Sequence, residues 1–186
     1  MDGYVQLDEI SMDILKEIGN VGTGNAVTSL SRMMEQPIEL DLPSLKVVKY
    51  YKMHELLEQP EELQTGILIE VTGQLKGIFL FMLSEAFTKT VINTILGEEE
   101  RNLTSLDDME CSLISELGNI MCGSYIRALS QLMDMDMDVS VPELCIDMGG
   151  AILTYPMSRW VIVSDDILLI ENIFHMSGEI FKGRIL

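Results

Sequence analysis

Basic residues are scarce in this chain. Lysine and arginine number 12 against 30 aspartates and glutamates, a formal net charge of −18 at pH 7. Such an acidic surface repels phosphate backbones and anionic lipid, which argues against nucleic acid and membrane surfaces as partners. It leaves open both plain solubility and a partner with a basic face. The 2 histidines, His54 and His175, fall at unmatched positions and read as ordinary surface or packed residues. Three cysteines (Cys111, Cys122 and Cys145) form an odd set with no CxxC spacing, which suits free thiols in a reducing cytosol. Long apolar runs are also missing: IFLFML at 78–83 is far too short to span a bilayer. The acidic start MDGYVQLDEISMD has no basic region followed by an apolar stretch, so it does not read as a secretory signal. GNVGTGN lacks the lysine of a phosphate-binding loop. DMDMD at 134–138 fails as an EF-hand, with Val139 where the loop turns on glycine and Cys145 where it ends on glutamate. It reads instead as an acidic strand edge.

What the chain does have is a 47% hydrophobic fraction, enough for a packed core, and an internal repeat. Residues 7–48 lie over 106–147 without a gap, with 11 of 42 positions identical, among them Glu17/Glu116, Gly19/Gly118, Asn20/Asn119, Gly24/Gly123 and Pro43/Pro142. Each copy opens on an aspartate (Asp8, Asp107) suited to cap a helix, followed by helical periodicity to Met34 and Met133. Alternating stretches at 38–50 and 137–148 predict strands, and 67–73 with 77–83 predicts a hairpin, echoed by 168–176 with 179–186. A helix over 84–96 ends at Gly97 and has no counterpart after the second hairpin. The expected fold is α+β and internally duplicated: six mainly antiparallel strands with two long equivalent helices packed on them. Two repeats, about 7–97 and 106–186, make a single domain.

Asp13, Glu17, Asn20 and Gly24 are spaced 4, 3 and 4 apart, which puts them within a wedge of about 60° on a helix. Ser112, Glu116, Asn119 and Gly123 repeat the stripe. Ile14, Leu15, Ile18 and Val21, with Leu113, Ile114, Leu117 and Ile120, are expected to hold the helices to the core while the polar stripes face water. A merely solvated face tolerates almost any polar residue, whereas here Glu and Asn recur at the same pair of positions. The nearby glycines (Gly19, Gly22 and Gly24; Gly118 and Gly123) each cost roughly 1 kcal/mol against alanine. Together these features point to a docking face with chemistry. A carboxamide can orient a water for in-line attack on phosphorus, and a carboxylate can anchor a partner's lysine.

The spacings D-x3-E-x2-N-x3-G at 13–24 and S-x3-E-x2-N-x3-G at 112–123 resemble the paired signature of the CheC/CheX/FliY phosphatases. Two copies in a chain too short for an added flagellar-switch domain are most similar to the CheC type. The resemblance implies a cytoplasmic protein phosphatase, a hydrolase acting on the aspartyl-phosphate of the chemotaxis response regulator CheY. It implies that Asn20 and Asn119 position the attacking water and that Glu17 and Glu116 contact the regulator's active-site lysine. Asp13, Gly24, Ser112 and Gly123 would support the docking stripe. It also implies no cofactor on this chain, with magnesium supplied by phosphorylated CheY, and the deamidase CheD as a regulatory partner. The alternative is a non-catalytic adaptor that binds CheY or CheD.

Overall fold

In the computed structural model, which describes residues 8–57, 59–160 and 166–186 (apart from the side chains of 42, 43, 53, 54, 56 and 155–160), Asp8 and Asp107 cap the two long helices. Helix α1 runs Glu9–Met33 and the equivalent helix, α3, runs Asp108–Met133. The Ser11 N–H donates to Asp8 Oδ1 at 2.7 Å and holds that carboxyl below its ordinary pKa. At α3 the Glu110 N–H donates to Asp107 Oδ1 at 2.8 Å while Glu110 Oε2 accepts from the Asp107 N–H at 2.9 Å. Each cap is worth about 1 kcal/mol. Glu110 Oε1 also accepts from Arg101 Nε at 2.6 Å, and Arg101 donates to Gly97 O and Asn93 Oδ1. This nearly buried arginine ties the linker between the repeats to both flanking helices.

The strands are β1 (Glu39–Lys49), β2 (Leu63–Gly73), β3 (Gly77–Ser84), β4 (Met137–Val139), β5 (Glu143–Met148), β6 (Asp166–Met176) and β7 (Glu179–Ile185). They form one sheet in the order β1-β6-β7-β3-β2-β4, with β5 also on β2, and every pair is antiparallel. Exchange each strand for its counterpart in the other repeat and this order reads the same from the opposite edge. The registers agree as well: Leu45 faces Ile170 as its counterpart Leu144 faces Ile67. The first strand of each repeat is therefore hydrogen-bonded to the hairpin of the other. Both hairpins form where expected; Ser177 (φ 55°) and Gly178 (φ 80°) make the two-residue turn of the second.

The count is seven strands rather than six. The stretch 137–148, expected as one strand, is broken into β4 and β5 around Pro142. In β1 the register to β6 slips between Asp41 and Ser44, around the equivalent Pro43. Proline has no N–H for the ladder, and an extra residue there makes a bulge. The same interruption occurs in both repeats and opens wide enough in the second to divide the strand. The DMDMD segment leads into β4 at the sheet edge, with Asp134 left-handed (φ 52°) at the end of α3.

Alternation along the strands builds two cores. Ile67, Ile69, Phe81, Leu83, Ile170 and Phe174 face α1, α3 and α2 (Glu85–Leu96). Leu68, Leu80, Met82 and Leu169 face the opposite way, against Ile152 and Leu153 of α4 (Gly149–Trp160). A fully buried side chain of this kind contributes roughly 1.5–3 kcal/mol, which fixes α1 and α3 side by side on the first face.

Candidate active site

Two of the glycines serve the fold itself. A Cβ on Gly22 would lie 2.5 Å from Tyr125 Cδ1, and one on Gly118 would lie 2.5 Å from Ile67 Cγ2. Gly22 lets α3 approach α1, and Gly118 lets α3 settle on β2, so these two do not belong to a docking face as the sequence suggested. Gly24 is different: no atom lies within 4 Å of the place its Cβ would take. The chain leaves that surface open.

On α1, Asp13, Glu17, Asn20 and Gly24 are all exposed. Lys16 Nζ lies 3.7 Å from Asp13 Oδ1 in a solvent-exposed pair worth little. On α3, Ser112 and Glu116 are exposed while Asn119 and Gly123 are half-buried. Asn119 Nδ2 donates to Glu116 Oε2 at 3.4 Å, and the Ser112 hydroxyl donates to Asp108 O at 2.7 Å. The structure brings Glu and Asn together on one turn of each helix, and neither stripe enters the α1–α3 interface.

The flank of the α1 stripe departs from the core-facing role that its sequence predicts for Ile14 and Val21. Ile14 and Val21 are 47% and 38% exposed, and Ile10 is 74% exposed. At 100° per residue these three fall directly beside Glu17, whereas Ile18, Gly22, Ala26 and Leu30 point to the core. Small residues at the interface let α1 sit close with a narrow buried stripe, so apolar side chains on its flank remain outside. They place exposed apolar surface directly beside the polar stripe, surface that a docked partner would bury. Sequence reasoning also passed over Arg127, whose Nη1 lies 3.1 Å from the Cβ position of Gly123. Its counterpart, the exposed Thr28, donates back to Gly24 O on its own helix at 3.2 Å, so the two sites differ in what stands over the glycine.

Other nucleophile chemistry finds little support. Burial pushes the Cys122 thiol up to about 12, and burial followed by nearby carboxylates raises Cys111. His175 Nε2 and Asp41 Oδ2 are 3.0 Å apart across β6 and β1, a surface pair, and the side chain of His54 lies outside the described residues. Among the described residues no three His, Cys, Asp or Glu side chains are grouped to hold a metal ion.

The family description "CheC-like family" matches residues 10–46 and 109–146, the α1–β1 and α3–β5 segments of the two repeats. The CheY-P phosphatase CheC of Bacillus subtilis (strain 168) is 27% identical over 176 residues, covering 93% of this chain and 84% of that protein. The flagellar motor switch phosphatase FliY of the same organism is 24% identical across 97% of this chain, which corresponds to 46% of FliY. The crystal structure of Thermotoga maritima FliY has the same fold, with a TM-score of 0.77 at 23% identity, covering 97% of this chain and 91% of that one. Both Glu–Asn helices lie inside the matched segments, so the similarity to the CheC-like family takes in the whole of the candidate site.

Proposed function

We propose that this chain hydrolyses the aspartyl-phosphate of a CheY-type response regulator, with one active site on each of α1 and α3. The observation that carries this reading is the same Glu–Asn pair, one turn apart, at the solvent-facing surface of both equivalent helices. The similarity to CheY-P phosphatase CheC supplies the substrate class. In the reaction a water oxygen attacks phosphorus while the bond from phosphorus to the aspartyl oxygen breaks, giving inorganic phosphate and a free carboxylate. Such a step asks the protein mainly for positioning. Asn20 and Asn119 hold the water. At α3, with Nδ2 leaning on Glu116, the Asn119 Oδ1 serves as acceptor for a water O–H. Glu17 and Glu116 make charge-assisted hydrogen bonds to the regulator's lysine. Gly24 leaves room for the regulator's backbone, Gly123 carries Arg127 over the equivalent place, Asp13 and Ser112 flank the pair, and Ile10, Ile14 and Val21 supply apolar contact.

Magnesium in this reading comes with the regulator, held by its own acidic residues. CheD is proposed as the regulatory partner and the cytoplasm as the compartment. Among the described residues no helix is long and apolar enough to cross a membrane. The test is phosphate release from a purified phospho-regulator with and without this chain. Acceleration by the native chain, lost in Asn20→Ala/Asn119→Ala with unchanged circular dichroism, is the expected result. Binding of the regulator without turnover would establish the adaptor reading instead.

A further inference from the structure

We propose that Tyr125 is a positioning residue for the α1 site, acting through Thr23 to fix the rotation of α1 about its own axis and with it the reach of Asn20. The inference rests on the reading of Asn20 as the residue that holds the attacking water. Thr23 stands between Asn20 and Gly24 but points the other way, into the α1–α3 interface, where it is buried. Hydroxyls on these helices mostly donate to their own backbone: Thr28 to Gly24 O at 3.2 Å, Ser115 to Cys111 O at 2.9 Å, Ser124 to Ile120 O at 2.7 Å. The Thr23 hydroxyl instead lies 2.9 Å from Tyr125 Oη on α3. Tyr125 Oη donates onward to Asn172 Oδ1 on β6 at 3.3 Å. A phenol has one proton, so Thr23 is the donor in the first bond and the relay runs from α1 to α3 to the sheet. Burial raises the pKa of Tyr125, which keeps that proton in place at neutral pH.

Sterics complete the clamp. The Tyr125 ring lies on Gly22, so turning α1 one way drives its backbone into the ring and turning it the other way breaks the hydrogen bond. Asn172 is 1% exposed and its Nδ2 has no partner among the described residues, so the side-chain hydrogen bond it does make, through Oδ1, is the one that holds Tyr125. None of the three is duplicated: Cys122 occupies the place of Thr23, Ala26 that of Tyr125 and Ile69 that of Asn172. The tie is built once, for the helix that has Gly19, Gly22 and Gly24 around its asparagine and whose Ile14 and Val21 stand outside the core. A rotation of only about 10° at a side-chain radius of about 6 Å shifts the carboxamide by about 1 Å. A misplacement of that size can cost roughly a hundredfold in rate.

The test is steady-state phosphate release from a phospho-regulator by Tyr125→Phe, measured with Asn119→Ala (α1 site alone) and with Asn20→Ala (α3 site alone). At the α1 site kcat is expected to fall at least about tenfold with KM within about twofold, and at the α3 site both are expected to stay within about twofold. Thr23→Val should reproduce the loss, and Thr23→Ser, which keeps the hydroxyl, should restore it. Melting curves fix a temperature at which each variant is fully folded. Equal losses at both sites, an unchanged kcat at the α1 site, or Thr23→Ser as poor as Thr23→Val would each overturn the positioning role. An active native chain with an insensitive α1 site overturns this inference alone, whereas a native chain that releases no phosphate overturns the phosphatase reading as well.

Discussion

Gly24→Ala adds one methyl group to an exposed helix surface, and the structure assigns it opposite effects on the fold and on the site. Alanine is favoured over glycine in a helix interior by about 1 kcal/mol. With nothing within 4 Å of the new carbon, no packing cost offsets that gain. For a chain of 186 residues this corresponds to a rise in Tm of about 2–4 °C. Gly22→Ala, two residues away, gains the same propensity but places its methyl 2.5 Å from the fully buried Tyr125 ring. Overpacking of this kind costs about 1–3 kcal/mol, so Gly22→Ala should melt at or below the native temperature. On activity, the Gly24 methyl fills space that the docked regulator is expected to use. In the Asn119→Ala background, Gly24→Ala should raise KM by about tenfold, the loss of roughly 1.4 kcal/mol of binding. Thermal denaturation by circular dichroism and phosphate-release kinetics read the two effects on one preparation. A lower Tm would mean that the open surface over Gly24 is wrongly described. An unchanged KM in a stabilised variant would mean that no partner backbone comes close there.

Asn20→Ala with Asn119→Ala should lower the rate enhancement by about 10²–10³, while either change alone keeps part of the activity because the two sites act separately. Complete loss from one single change, in a phosphate-release assay, would mean one composite site. Titration calorimetry should detect no tight magnesium site on the isolated chain, whose stripes offer one or two carboxylates per helix. Asp107→Ala should cost about 1 kcal/mol in urea denaturation, since it removes the cap of α3. At pH 8 iodoacetamide should label the exposed Cys145 and spare Cys122 until the chain unfolds, because burial holds the Cys122 thiol at about 12; rapid labelling of Cys122 in the native chain would contradict its burial.

The two long helices, their aspartate caps and both hairpins were legible in the sequence because each depends on local chemistry: a short acidic cap, a 3.6-residue period, a Ser-Gly turn. The Glu–Asn stripes were legible because duplication supplied an internal control that a single helix lacks. Helix α4 was not, since it opens on Gly149-Gly150 and contains Pro156, residues that read as chain breakers. The division of 137–148 at Pro142 depends on how the edge strand meets β2, a long-range pairing that no window of sequence contains. Exposure of Ile14 and Val21 was missed for a related reason. Helical period alone says that they share a side, but which side faces the core was decided by Gly22 and Tyr125, about a hundred residues apart.

The exchange of first strands between the repeats also sets the order in which the molecule can be completed. β1 emerges from the ribosome early, but its ladder partner β6 begins at Asp166, more than a hundred residues later. Until then β1 has no ladder partner in the sheet, however much of α1 has formed. The first repeat alone therefore cannot settle on the chain during synthesis, and the sheet closes only when the second hairpin is made. Contacts of such separation slow folding and leave strand edges open to wrong partners. The lysines at 46 and 49 of β1 are suited to that interval, because a charged edge discourages pairing with another chain while the strand awaits its own.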